Sequence, residues 1–154
     1  MKKIILFASL LTGTFINAQN FSLGAKSGDS ELDMSLSEIN VKAKTDIKLF
    51  KKDLSIEFNI GEKKIDNMLE IQMSPADIFM TLQIADLVKK DPEIIVESFK
   101  KNKDKGWGVI AKENGIKPGS PEFHQLKGKA KNKKNKDKKD KGEKGNGKGK
   151  GKNK

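Results

Sequence analysis

The sequence predicts an all-α protein, a small bundle of five or six helices followed by a disordered tail rich in Lys and Gly. Three observations carry that expectation. Three of the four prolines follow a capping residue, as Ser74-Pro75, Asp91-Pro92 and Ser120-Pro121. Each pair offers an N-cap acceptor and then a residue whose missing N–H costs nothing in a first helical turn. Apolar residues from Leu32 to Phe58 recur at spacings of three and four, the helical period. From Lys127 onward the chain holds no aromatic or large aliphatic side chain, so that stretch has no means to offset the entropy of folding.

In chain order, Lys2 and Lys3 precede an apolar run from Ile4 to Leu11, then Thr12 to Asn17 and the small residue Ala18. That is the length and polarity of an export signal, too short to span a bilayer. Cleavage is expected between Ala18 and Gln19, with a cut after Gln19 as the alternative. The mature product is then periplasmic or extracellular, and residues 19–30 are a flexible linker. No later apolar run approaches the roughly 20 residues of a membrane helix, so no transmembrane segment is expected in the mature chain. Cysteine is absent, which excludes disulfides, thiolate catalysis, sulfur-ligated metals and a lipidated cysteine.

Residues 31–126 are the expected helical domain. Two periods compete in its first third. Leu32, Leu36, Ile39, Ala43, Ile47, Phe50, Leu54 and Phe58 form a helical stripe, whereas Ile39, Val41, Ala43, Ile47 and Leu49, and then Leu54, Ile56, Phe58 and Ile60, alternate like strands. The absence of Gly and Pro from Asp29 to Ile60 leaves no hairpin turn, which favours one helix from Ser37 to Asn59 with Gly61 as its C-cap. A short helix from Glu62 to about Ile71 follows. From Pro75 to about Lys90, Ile78, Phe79, Met80, Leu82, Ile84, Ala85, Leu87 and Val88 make a face so wide that this helix should be central. Pro92 to about Lys103 should be another, with Ile95, Val96 and Phe99 inward.

The most specific stretch is KGWGVIAKENGIKPGSPEFHQLK, residues 105–127. Trp107, Ile110 and Ala111 share a helical face, Gly115 suits a left-handed C-cap, and Ile116 folds back after it. Lys117-Pro118-Gly119 then turns the chain into a Ser120-capped helix with Phe123 and Leu126 inward. Trp107 is expected as a core anchor. The stretch resembles the C-terminal signature of uncharacterised secreted bacterial proteins of Bacteroidota type, GWGxIAKxxGIKPGSxEFHxLK, and the likeness extends upstream through Met73-Ser74-Pro75-Ala76-Asp77. The resemblance implies a helical exported domain and no particular activity. Asn114 stands where that pattern has leucine, and weaker local packing is expected there.

Charge divides the chain sharply. Residues 127–154 hold 14 lysines against Asp137, Asp140 and Glu143, whereas residues 1–126 hold 18 lysines and 18 acids, so the net charge of +11 is the tail's. All 32 basic residues are lysine; none is arginine. Lysine is a hydrated point charge without the planar fork that reads phosphate or guanine, so binding by the tail should be loose and salt-sensitive. Lys129, Lys131, Lys133, Lys134, Lys136, Lys138, Lys139 and Lys141 are the candidate polyanion contacts, with lipopolysaccharide or extracellular nucleic acid as partner. Cutting the chain after Leu126 should leave its helical content nearly unchanged.

No catalytic constellation, cofactor motif or metal-ligand cluster stands out. His124 is the single histidine and reads as a capping or surface residue, since Glu122 two positions away diverges from it on a helix. Asp46, Asp66, Asp77 and Asp86 supply carboxylates for an acid–base pair, but nothing singles out two of them. Residues 105–127 also imitate a DNA-binding helix-turn-helix, although Ser120, Glu122, His124, Gln125 and Lys127 of the second helix offer only one basic residue. Three classes therefore stand: an exported interaction module tethered by its tail, an envelope-acting enzyme whose pocket would hold two acids, and a helix-turn-helix nucleic-acid binder.

Overall fold

A computed structural model describes residues 26–140. Among them the chain is all-α, with seven α-helices: α1 (Ser30–Thr45), α2 (Ile47–Phe58), α3 (Glu62–Glu70), α4 (Pro75–Val88), α5 (Pro92–Asn102), α6 (Trp107–Glu113) and α7 (Pro121–Asp140), with a 3-10 turn at Lys103–Lys105. The export segment with its Ala18-Gln19 junction, and Lys141 onward, lie outside the described residues.

α4 is the axis of the bundle. Every residue from Pro75 to Ala85 is buried except Asp77. A central helix needs its first-turn donors satisfied without water, and three residues accomplish this. Pro75 has no donor, the Ser74 hydroxyl accepts from the Asp77 N–H at 3.2 Å, and the Asn40 side-chain oxygen, fully buried on α1, accepts from the Ala76 N–H at 2.7 Å. Asp77 completes a capping box by accepting from the Ser74 N–H at 2.9 Å.

The helical period wins in the first third. Leu32, Leu36, Ile39, Ala43, Phe50 and Leu54 are buried, whereas Val41 and Ile56, which a strand alternation would place inward, are exposed. The expected single helix from Ser37 to Asn59 is corrected in three ways. It starts earlier, because Asp29 accepts from the Leu32 N–H at 2.9 Å and caps α1 at Ser30. It divides at Asp46, whose side chain accepts from the Leu49 N–H at 2.9 Å; a capping carboxylate there opens a second helix where the chain must fold back. Its C-cap is Asn59 in the left-handed conformation, and Gly61, with φ of −65°, is instead the N-cap of α3. These divisions raise the count above the five or six helices anticipated.

The linker expected over residues 19–30 is corrected at its described end. Ser27 is buried, donates its N–H to Asp33 at 2.6 Å, and lies in a strap that crosses the start of α6. The Trp107 N–H donates to the Lys26 carbonyl at 2.6 Å. A Cβ at Gly106 would fall on that carbonyl oxygen, and one at Gly108 on the Ser27 carbonyl oxygen, so both glycines flanking the tryptophan are required for the strap to pass.

The tail boundary is also corrected. Helix α7 does not stop near Leu126 but continues through Asp140, and Ala130 is as fully buried as Leu126. Phe123, Leu126 and Ala130 form its apolar stripe, and Lys133 extends it with an aliphatic stem whose side chain is only 8% exposed.

Candidate functional site

The expected anchors of the 105–127 stretch come together. Trp107, Ile110, Ala111, Ile116 and Leu126 are buried in one core, with Phe123 half-buried against it. Trp107 stacks on Phe99 with ring centroids 5.4 Å apart, and its indole N–H donates to Asp77 Oδ1 at 2.7 Å. Gly115, at φ of 102°, ends α6: its N–H reaches the Lys112 carbonyl at 3.1 Å, and the Ile116 N–H reaches that of Ala111 at 2.9 Å. This is a Schellman cap, in which the residue after the glycine seals the helix end. Asn114 does not weaken the contact. Its amide donates to Ser98 Oγ at 3.0 Å and to the Ile110 carbonyl at 2.9 Å, tying α6 to α5 where a leucine would only pack.

The arrangement of greatest electrostatic interest is the seat of α7 against α1 and α2. Lys127 reaches Asp29 at 2.8 Å and Glu31 at 3.1 Å. Lys131 reaches Glu31 at 3.6 Å, Lys134 reaches Glu38 at 3.5 Å, and Lys133 reaches Glu57 at 3.0 Å and Asp53 at 3.7 Å. The Lys133 ammonium also stands 6.0 Å from the centre of the Phe50 ring. In the other direction Lys42 of α1 donates to the Lys134 carbonyl. Hydrogen bonding to Lys127 holds the Asp29 and Glu31 carboxyls below their ordinary range, and the same bonds raise the Lys127 ammonium above its own.

Of the lysines expected to meet polyanions, Lys131, Lys133 and Lys134 are thus matched within the molecule. Lys129 is exposed, Lys136, Lys138 and Lys139 continue the helix, and Lys141 lies outside the described residues. The acidic lane opposite them was the part that sequence reading missed. Its signal was present as Glu31 and Glu38 seven apart and Asp53 and Glu57 four apart, at the period of Lys127, Lys131 and Lys134.

The four carboxylates considered for acid–base work are each occupied. Asp46 caps α2, Asp66 pairs with Lys51 at 2.7 Å, Asp77 holds Ser74 and Trp107, and Asp86 pairs with Lys89 at 3.0 Å. An open groove of about 550 Å³ lies where α2 and α3 meet the end of α4, floored by Phe58, Ile60 and Leu82. Glu57 and Asp86 both line it, and both already have a lysine at 3.0 Å. Among the described residues no group of three or more His, Cys, Asp or Glu could hold a metal ion, and no helix is long and apolar enough to cross a membrane. His124 is exposed at the start of α7, beside the outward Glu122 and Gln125. Comparison with protein-family models, curated proteins and solved structures finds no match to this chain.

Proposed function

We propose that this chain is an exported helical interaction module of the secreted bacterial group whose signature it resembles, held on anionic polymers by the lysines that follow α7's seat. The observation that carries this reading is the segregation of charge. Residues 127–154 account for the whole net charge of +11, and the pairing of Lys127, Lys131, Lys133 and Lys134 with body acids shifts the available cations outward. Residues 135–154 still hold nine lysines against three acids. Such a segment releases counterions on meeting a polyanion and reads no sequence, since lysine lacks the bidentate fork. Lipopolysaccharide and extracellular nucleic acid both present the phosphate that this chemistry takes.

The test is retention on heparin and on duplex DNA as salt rises, with full-length chain and a form ending at Asn135. Full-length chain should bind at low salt with little dependence on base sequence, and the shortened form should lose most of that affinity. Equal binding by both forms would place the contact on the folded body. A strong preference for one DNA sequence would favour the helix-turn-helix reading.

A second reading, an enzyme acting on envelope material, draws on Glu57 and Asp86 in the same groove. Their lysine partners count against it, because neither carboxylate stands unengaged to hand a proton to a leaving group.

A further inference from the structure

Beyond Ala130, α7 meets its seat through lysines, with the Lys133 stem over Phe50 its one apolar contact. After Ala130 the helix runs Lys131 to Asp140 with only Lys, Asn and Asp, so past the Lys133 stem it has no apolar side chain to offer. The seat is not built only for charge. On α1, Met34 and Val41 follow the lysine-paired Glu31 and Glu38 by three positions, one turn away on the flank of the acidic lane. On α2, Leu49 and Ile56 bracket the lysine-paired Asp53 by four and three positions. These four side chains are 50–71% exposed, and they are four of the six large apolar residues that the described surface exposes. The other two, Ile71 and Ile94, stand on other elements. Scattered apolar residues need no explanation, but two pairs at seven-residue spacing, each beside the acids that grip a lysine helix, form rails along an occupied track.

We infer that the α1–α2 seat is a docking surface for a basic amphipathic helix of another protein, and that residues 131–134 are its resident stand-in. The lysines of α7 demonstrate the charge that the lane accepts, with four carboxylates taking three ammonium groups. The uncovered rails state what the resident lacks. A helix bearing Leu or Ile beside its lysines would keep the ion pairs and bury Met34, Val41, Leu49 and Ile56 as well, in the manner of helix-in-groove recognition. Displacement is feasible because an incoming lysine replaces each ion pair it breaks, while burial of the rails adds apolar stabilisation that the resident lacks. Detachment can stop at Ala130, which together with Leu126 fixes the first half of α7 in the core. This surface is distinct from the tail's: it offers carboxylates to a cationic partner, whereas the tail offers lysines to an anionic one.

The experiment uses the full chain and two labelled 14-residue helical peptides, one of Leu and Lys in amphipathic order and one with Ala replacing every Leu. Fluorescence anisotropy should show the Leu/Lys peptide binding at least tenfold more tightly than the Ala/Lys peptide. Val41→Ser with Ile56→Ser, both on exposed sites that leave the core intact, should weaken it about tenfold, as should Glu38→Gln with Asp53→Asn. Lys134→Glu, which sets like charge against Glu38, should strengthen it by releasing the resident helix. Hydrogen exchange at residues 131–134 should accelerate when the peptide binds. Equal affinity for the two peptides, or indifference to the Val41/Ile56 pair, would overturn the docking surface. Binding with unchanged exchange at residues 131–134 would overturn the displacement.

Discussion

The indole N–H of Trp107 donates to Asp77 Oδ1 at 2.7 Å, while the other oxygen of the same carboxylate accepts from the Ser74 N–H and hydroxyl at 2.9 and 2.7 Å. One aspartate therefore closes the cap of the central helix and anchors the tryptophan of α6, thirty residues away in sequence. The MSPAD and GWG phrases are two halves of one contact.

Replacing Trp107 tests that contact in two steps. Trp107→Phe keeps most of the stacking on Phe99 but removes the donor to Asp77 Oδ1, and should cost about 1.5–3 kcal/mol, the scale of a hydrogen bond to a charged group. Trp107→Ala should cost more, about 3–5 kcal/mol, because it also empties a core site. Urea midpoints of both variants measure the difference. A Trp107→Ala protein that melts with the parent would mean that the ring is not a core anchor.

Alanine at two glycines should act with opposite signs. At Gly108 a Cβ meets the Ser27 carbonyl oxygen, so the strap over α6 must lift, at a cost of about 1–3 kcal/mol typical of overpacking. Gly128 lies inside α7 with nothing within 4 Å of a Cβ. There the same change should stabilise by up to about 1 kcal/mol, the helix-propensity difference. Paired thermal melts decide this, and a like response at both sites would contradict the strap.

Two buried polar atoms of α4, Thr81 Oγ1 and Gln83 Oε1, have no hydrogen-bond partner. Thr81→Val replaces an unsatisfied hydroxyl with a methyl of similar shape and should stabilise by about 1 kcal/mol. A loss of stability in the denaturation curve would show that the hydroxyl is satisfied in solution.

Much of this architecture was legible because its signals are local. Ser74-Pro75, Asp91-Pro92 and Ser120-Pro121 mark the starts of α4, α5 and α7, and the Leu32 to Leu54 stripe marks the inward faces of α1 and α2. Three helix ends were harder to read. Asn59, Gln72 and Lys89 take left-handed conformations without glycine, held by bonds from the following residue back to Ser55, Met68 and Ala85. The strap was hidden because only the distant glycines at 106 and 108 reveal its path. The extent of α7 was obscured by counting lysine as purely polar. Its stem buries like an aliphatic chain, so Phe123, Leu126, Ala130 and Lys133 continue a single stripe.

That stripe changes the outcome of truncation. Ending the chain after Leu126 removes Ala130, the Lys127 bridge and the cover over Phe50, and should destabilise by about 1–3 kcal/mol from lost apolar burial. Helical content should fall with it. Ending at Asn135 keeps all of these and should leave the midpoint nearly unchanged. Circular dichroism with urea titration distinguishes the two, and equal midpoints would restore the boundary at Leu126.

The Lys127 bridge also has a pH signature with a defined sign. Its hydrogen bonds hold Asp29 and Glu31 below their ordinary values of 3.8 and 4.5, so their contribution is complete above those values and is lost as pH falls through the lower folded ones. The same bonds, to Asp29 first and then Glu31, raise Lys127 above 10.5, so its contribution is complete below 10.5 and is lost as pH rises through the higher folded value. Between about pH 5 and 10 the bridge should be intact, and outside that window it should fade from both sides. Lys127→Gln isolates the effect. The gap between parent and variant urea midpoints should be flat across the window and shrink toward zero at the acid and alkaline extremes, whereas a gap that persists at both would mean that Lys127 supports α7 by packing rather than by charge.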